Sequence, residues 1–281
     1  MRLISYADGR GPTFGVVMDG GIVEGGRRAG FATLRDALAA GALDTVRAIA
    51  DGAAPDTSED AVRILPIIPN PDKILCAGRN YKDHVEEMGA KLPDHPTWFI
   101  KAHSTLVAHG EPIVKPRVSD CFDFEGELTA IIGRHGRHIP ESAALDHVAG
   151  YTCFLDGSIR DYQKHSVTAG KNFHRTGPAG PCMVTTDEIP DPTKLTLTTR
   201  LNGEVVQNES TGELIFGIGE LIEYISVWTE LVPGDVIATG TPGGVGAGRK
   251  PALWMKPGDT IEVEISGLGI LRNRVVEDDD P

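Results

Sequence analysis

The chain has 281 residues, enough to bury a sizeable core in one or two domains. Its 40% hydrophobic and 24% charged content is that of an ordinary globular protein. A formal net charge of -13 argues against nucleic acid or an anionic membrane as the main partner, since both attract Lys/Arg-rich surfaces.

The start, Met1-Arg2-Leu3-Ile4-Ser5-Tyr6, shows no secretory h-region. No apolar run approaches the roughly 18 residues that span a bilayer. Cys76, Cys121, Cys153 and Cys182 form no CxxC pair, so reduced thiols and a cytoplasmic location are expected.

Residues 1–25 read as a β-meander: Leu3-Ile4-Ser5-Tyr6 and 13–18 are strand-like, with turns at Asp8-Gly9 and Asp19-Gly20-Gly21. Helical spacing follows at Leu34, Leu38 and Ala39. It recurs at Val46, Ile49 and Ala50, with Asp44 as the expected N-cap. A polar, Pro-containing linker over 52–60 closes a small N-terminal α/β module, 1–65. Residues 66–281 form the second expected domain, with strands over 73–77, 122–132, 151–155, 195–201, 236–238 and 260–265. Asn202-Gly203 marks a tight hairpin. One amphipathic helix is expected over 220–230, burying Leu221, Ile222, Ile225 and Trp228. Trp98 and Trp254 read as core, and the tail Glu277-Asp278-Asp279-Asp280 as a frayed end. The fold class is α+β and β-rich, suited to a roll or sandwich.

The chemistry concentrates in Asp123-Phe124-Glu125-Gly126-Glu127-Leu128. On a strand, alternate side chains share a face, so Asp123, Glu125 and Glu127 point one way. Like charges in a row destabilise a sheet. A hard cation such as Mg²⁺ or Ca²⁺ would reverse that penalty, and a solvated edge strand is the alternative. His84 and Glu87, at i, i+3 on a short helix ending at Gly89, share a face. A His oriented by a carboxylate is a better general base, although such pairs are common on helix surfaces. Asp156 follows an apolar strand. Lys171 stands between Gly170 and Asn172. The run 239–246, Thr-Gly-Thr-Pro-Gly-Gly-Val-Gly, offers backbone N–H groups to an anion or forms a plain turn.

Seven segments in this order resemble the fumarylacetoacetate hydrolase family, particularly its acylpyruvate hydrolase-like branch. They are Gly78-Arg79-Asn80-Tyr81-Lys82-Asp83-His84, Lys101 after an aromatic strand, the acidic run from Asp123, and Gly150-Tyr151-Thr152. They continue with Asp156 leading to Arg160-Asp161-Tyr162-Gln163, then Gly170-Lys171-Asn172-Phe173, and Thr239-Gly240-Thr241-Pro242. The resemblance covers residues 65–275 or so. It implies the family's mixed β-sandwich roll, with Glu125, Glu127 and Asp156 holding Mg²⁺ or Mn²⁺ and Asp123 in support.

It further implies C–C bond hydrolysis of acylpyruvates or related β-diketo acids through a stabilised enolate. His84 and Glu87 would activate water, Lys171 would neutralise charge, and Arg79, Tyr81, Gln163 and Thr241 would bind substrate. A small keto acid is the expected partner and a homodimer the expected assembly. Two departures bear on substrate: Leu155 stands where many members have Asn, and His174-Arg175 follow Phe173. That basic pair either favours a more acidic substrate or faces solvent. Oxaloacetate decarboxylation, keto-acid tautomerisation or hydration on the same site are the rival reactions. A non-catalytic keto-acid-binding protein is the rival of another class.

Overall fold

The computed structural model describes residues 1–279, so Asp280 of the acidic tail lies outside the described residues. A mixed 11-stranded sheet runs through Gly21–Glu24, Gly11–Met18, Arg2–Asp8, Gly177–Thr185, Val148–Leu155, Gly126–Ile132, Val236–Ala238, Ile74–Gly78 and Thr97–Ile100, with two short strands paired off this path. A five-stranded sheet, Glu204–Ser210, Thr196–Leu201, Thr260–Ile265, Gly269–Glu277 and Ile113–Lys115, packs against it. Most pairings are antiparallel. Val236–Ala238 runs parallel to Ile74–Gly78, and Gly269–Glu277 parallel to Ile113–Lys115.

Every residue of Val148–Leu155 is buried, as its unbroken apolar character requires of a strand covered on both faces. On one side Leu128, Cys153 and Leu155 share a core with Leu197, Ile261, Val263 and Leu271 of the smaller sheet. On the other, Ile131, Ala149 and Phe154 pack with Leu34, Leu38 and Val46 of two N-terminal helices. Arg2–Asp8 pairs directly with Gly177–Thr185, so the sheet continues across residue 65 from the first segment into the second. Asn202 and Gly203 sit at φ 54° and 86°, the left-handed pair that a type I′ hairpin needs.

Four local expectations differ. Residues 122–132 do not form one strand: Phe122–Asp123 pairs with Ser158–Ile159, and Gly126–Ile132 belongs to the large sheet. The chain leaves the ladder between them, at Phe124 and Glu125. The helix Leu43–Ala50 begins after Ala42, which places Asp44 in its first turn. Its neighbour Leu34–Ala39 carries the real cap, a Thr33–Asp36 capping box. The long helix spans Ile218–Trp228, and Trp228 is 49% exposed, on the outer side with Tyr224 and Val227. Trp98 and Trp254 are only partly buried, and each lines a cavity.

Candidate metal centre and active site

The site forms where two neighbouring strands end. Gly126 lies opposite Leu155 in the ladder, so the residues just outside it, Glu125 and Asp156, come side by side. The Asp156 N–H donates to the Glu125 carbonyl at 2.8 Å. Glu127, opposite Phe154, completes a group of three buried carboxylates, each with an oxygen within 4.8 Å of the others. Among the described residues no other cluster of His, Cys, Asp and Glu meets that description.

Buried like charges repel strongly unless countered. Lys101 lies fully buried beneath Asp156 and donates to Asp156 Oδ1 at 2.6 Å and to the Lys171 carbonyl at 2.6 Å. Lys171 Nζ bridges Glu125 and Asp156, meeting Asp156 Oδ2 at 2.5 Å. Arg160 donates from Nε to Asp123 at 2.7 Å and from a terminal nitrogen to Glu125 at 2.6 Å. Burial works against the Glu125 carboxylate, but Lys171 and Arg160 outweigh it and hold its pKa far below the usual range. The same carboxylates, Asp156 and Glu125, keep the buried Lys171 ammonium firmly protonated.

Glu127 is treated differently. It accepts the Gly240 N–H at 2.9 Å but has no ion pair with Lys101, Lys171 or Arg160. Burial, then the charges of Asp156 and Glu125, push its pKa well above the ordinary carboxylate range. The four carboxylates Asp123, Glu125, Glu127 and Asp156 therefore outnumber the three cations among them by one charge. An all-oxygen set with one uncompensated carboxylate fits a hard divalent cation.

The glycine-rich run does hold anions, and they are the protein's own. Gly240 N–H serves Glu127, Gly244 N–H serves Glu87, and the N–H groups of Gly246 and Ala247 serve Asp123 at 2.7 and 3.0 Å. Side chains are excluded here: a Cβ on Gly246 would lie 1.8 Å from the Leu253 carbonyl oxygen and 2.6 Å from Asp123. Asp123 thus supports the Glu125 side of the cluster through Arg160.

A cavity of about 420 Å³ opens over the carboxylates, lined among others by Arg79, His84, Trp98, Gln163, Lys171 and Thr241. His84 comes from the helix Lys82–Glu87, which stops at Gly89 (φ 62°). Asn80, just before it, ties the helix to Thr239 and Phe216 through three side-chain hydrogen bonds. His84 is 93% buried, and its Nδ1 makes no hydrogen bond. Glu87 stands 3.8 Å from that nitrogen, beyond direct hydrogen-bond reach. Burial raises the Glu87 pKa, but His84 and the Gly244 N–H more than reverse this, leaving it lowered.

Arg79 sits at the rim with a left-handed φ of 54°, a conformation that costs a non-glycine residue about 1 kcal/mol or more. Gln163 accepts from Arg160 at 3.0 Å. The Thr241 hydroxyl donates to the Gly126 carbonyl and accepts from Gln207, so it already fastens the loop to the strand. Tyr81 is not among the cavity residues; it is buried behind the helix, in a separate hollow with Glu209 and Glu213. Arg175 turns to Glu111 and Pro112, and His174 is exposed, so neither of the basic pair lines the cavity.

Sequence reasoning assigned no role to Arg160 or Gln207 and left Lys101 as a motif position. A charge count held the signal for two of them: four carboxylates sharing one buried lysine would be far from balance.

The fold is β-rich, and its cavity opens over a buried carboxylate triad that could hold a metal ion. The profile of the fumarylacetoacetate (FAA) hydrolase C-terminal family matches residues 73–276, and the chain belongs to that family. It is 41% identical to a mitochondrial oxaloacetate tautomerase of Xenopus laevis over 239 residues, 84% of this chain and 75% of the other. Its structure resembles fumarylacetoacetate hydrolase from Exiguobacterium antarcticum (TM-score 0.82, 32% identity, 99% of each chain). It also resembles maleylpyruvate hydrolase from Sphingobium (TM-score 0.84, 29% identity, 99% of this chain and 100% of the other).

Proposed function

We propose that this chain is a divalent-metal-dependent enzyme of small 2-oxo acids that works through the substrate's enolate, with keto–enol tautomerisation of an oxaloacetate-type acid as its reaction. The observation that carries this is the uncompensated Glu127 beside Glu125 and Asp156, under a cavity with His84 at its wall. A divalent ion, Mg²⁺ or Mn²⁺, held by these three residues would supply Lewis-acid polarisation of the 2-oxo acid. The tautomerase relative at 41% identity supports the choice of reaction.

The chain's own residues divide the remaining work. His84 moves the proton at the carbon beside the 2-oxo group from its place on the cavity wall, through Nε2, because Nδ1 is buried and faces Glu87. Glu87 faces the imidazole Nδ1 from 3.8 Å and helps to orient the ring. Gln163, whose amide oxygen is taken by Arg160, presents its N–H₂ group to a substrate oxygen. With a dication in place the buried cluster carries one net positive charge, and Arg79 at the rim adds a second. That balance suits a dicarboxylate.

Hydrolytic C–C cleavage of acylpyruvates is the second reading. It is favoured by the position of His84 on the cavity wall, where the imidazole is equally able to take a proton from water, and by the hydrolase neighbours. Parallel assays with Mg²⁺ decide between them. Accelerated conversion of enol- to keto-oxaloacetate without pyruvate release supports tautomerisation. Stoichiometric pyruvate from acetylpyruvate, with no effect on oxaloacetate, supports hydrolysis.

A further inference from the structure

Beside the catalytic cavity lies a second hollow of about 400 Å³, walled by Met88, Cys121, Ala247 and Trp254. Arg160 and Gln163 line both spaces, so the two adjoin at those side chains. We infer that this groove receives an apolar substituent on the end of the substrate remote from its 2-oxo acid group. The enzyme would then take 2-oxo acids longer than oxaloacetate. The inference rests on the 2-oxo acid reading of the carboxylate site.

Three observations support this occupant. First, the walls are built to stay apolar and open. Trp254 is pinned between two backbone hydrogen bonds, Leu253 N–H to the Gly246 carbonyl at 3.0 Å and Met255 N–H to the Phe122 carbonyl at 2.8 Å. They fix the backbone on either side of Trp254, which lines the groove and is partly exposed.

Second, Met88 caps the helix that carries His84 and Glu87 and is 41% exposed. An unbranched thioether adapts to ligands of varied shape. A chain lying against Met88 would contact the same helix as the catalytic base.

Third, most of the charged groups lie on the cavity side, although Arg160, Asp161 and Lys164 also border the groove. The carboxylates, lysines and Arg79 gather on the side of the 420 Å³ cavity. On the groove side Asp161 is engaged by the Ser119 hydroxyl at 2.6 Å, and Lys164 is exposed at the border. A ligand with an anionic head and an alkyl or aryl tail matches this polarity. The catalytic cavity alone already falls in the size range of ordinary ligand sites, so the adjoining groove provides for a longer molecule.

The test uses non-reacting mimics of a 2-oxo acid: oxalate, oxamate and N-hexyloxamate, each titrated calorimetrically into the Mg²⁺-loaded full chain. A buried methylene contributes about fourfold in affinity. With part of the chain still wet, N-hexyloxamate is expected to bind roughly thirtyfold to hundredfold tighter than oxamate. Trp254→Ala should reduce that ratio to about threefold, and Cys121→Phe, which fills the groove without removing the indole, should do the same. Oxamate binding should change little in either variant.

If oxalate and oxamate bind but the hexyl chain adds nothing, the groove is not a tail site and the 2-oxo acid reading stands. A tight hexyl ligand insensitive to both substitutions places the tail elsewhere and also overturns the inference. If neither oxalate nor oxamate binds, the 2-oxo acid reading fails and the groove assignment falls with it.

Discussion

Gly244 donates its backbone N–H to both carboxylate oxygens of Glu87, at 3.0 and 3.2 Å. The glycine-rich loop, and not His84 alone, therefore sets where the Glu87 carboxylate sits. The loop also holds Glu127 and Asp123, so one backbone segment positions a carboxylate of the triad, the support of Glu125 and the carboxylate that faces His84.

A Cβ at Gly248 would lie 2.3 Å from the Glu87 side chain. Gly248→Ala should displace Glu87 and lower kcat about tenfold, with Mg²⁺ affinity nearly unchanged. His84→Ala should lower kcat by roughly 10²–10⁴ and likewise spare the metal, the usual range for a lost acid–base group. Steady-state kinetics beside Mg²⁺ calorimetry on each variant checks both; a loss of metal binding in His84→Ala would contradict its assignment.

Lys171→Met leaves Glu125 and Asp156 buried with one cation fewer. Breaking a buried ion pair in this way costs roughly 3–5 kcal/mol, or on the order of 10 °C in Tm for a chain of this size. A dication would replace part of the missing charge. Thermal unfolding with and without Mg²⁺ should therefore show a lower metal-free Tm than wild type and a larger rise on adding Mg²⁺.

Glu127→Gln should behave in the opposite sense. It removes a buried carboxylate that no cation pairs, so the metal-free protein should be as stable as wild type or more so. The Mg²⁺-dependent rise in Tm should largely disappear. A marked loss of metal-free stability would show that Glu127 is compensated in a way the geometry does not reveal.

Acid stability should depend on two carboxylates far from the site. Asp8 is held well below its ordinary pKa, first by Arg27 and then by Arg10. Asp191 is lowered to about 2 by Lys194 and Thr193. A carboxylate whose pKa is depressed on folding contributes stability that is present above its unfolded pKa and lost as pH falls through the folded one. Tm should thus be level near neutrality and fall from about pH 4 toward pH 2. Asp8→Asn should make that fall shallower, most of all at its acid end.

Much of this was legible in the chain. Period-two alternation found Thr260–Ile265, Asn202-Gly203 found its hairpin, and the ordered motifs found the residues that meet at the triad. Alternation failed at Asp123 to Glu127 because the pattern of side chains persists while the backbone leaves the ladder at Phe124 and Glu125. Trp228 was misplaced because helical spacing identifies a face but not how wide a strip the core covers. Tyr81 was misplaced because a motif fixes sequence neighbours of His84, not which side of a short helix each occupies. The backbone donors of 240–247 carry no side-chain signature, so their carboxylate partners emerge only in three dimensions.

The most direct test of the central claim is the rate at which enol-oxaloacetate converts to its keto form, followed spectroscopically with Mg²⁺ and then with excess chelator. The account predicts a protein-dependent acceleration that the chelator abolishes, that Mg²⁺ restores, and that Glu127→Gln and His84→Ala each lack. Acceleration that persists in chelator, or that survives in both variants, would contradict a metal-dependent enolate site at Glu125, Glu127 and Asp156.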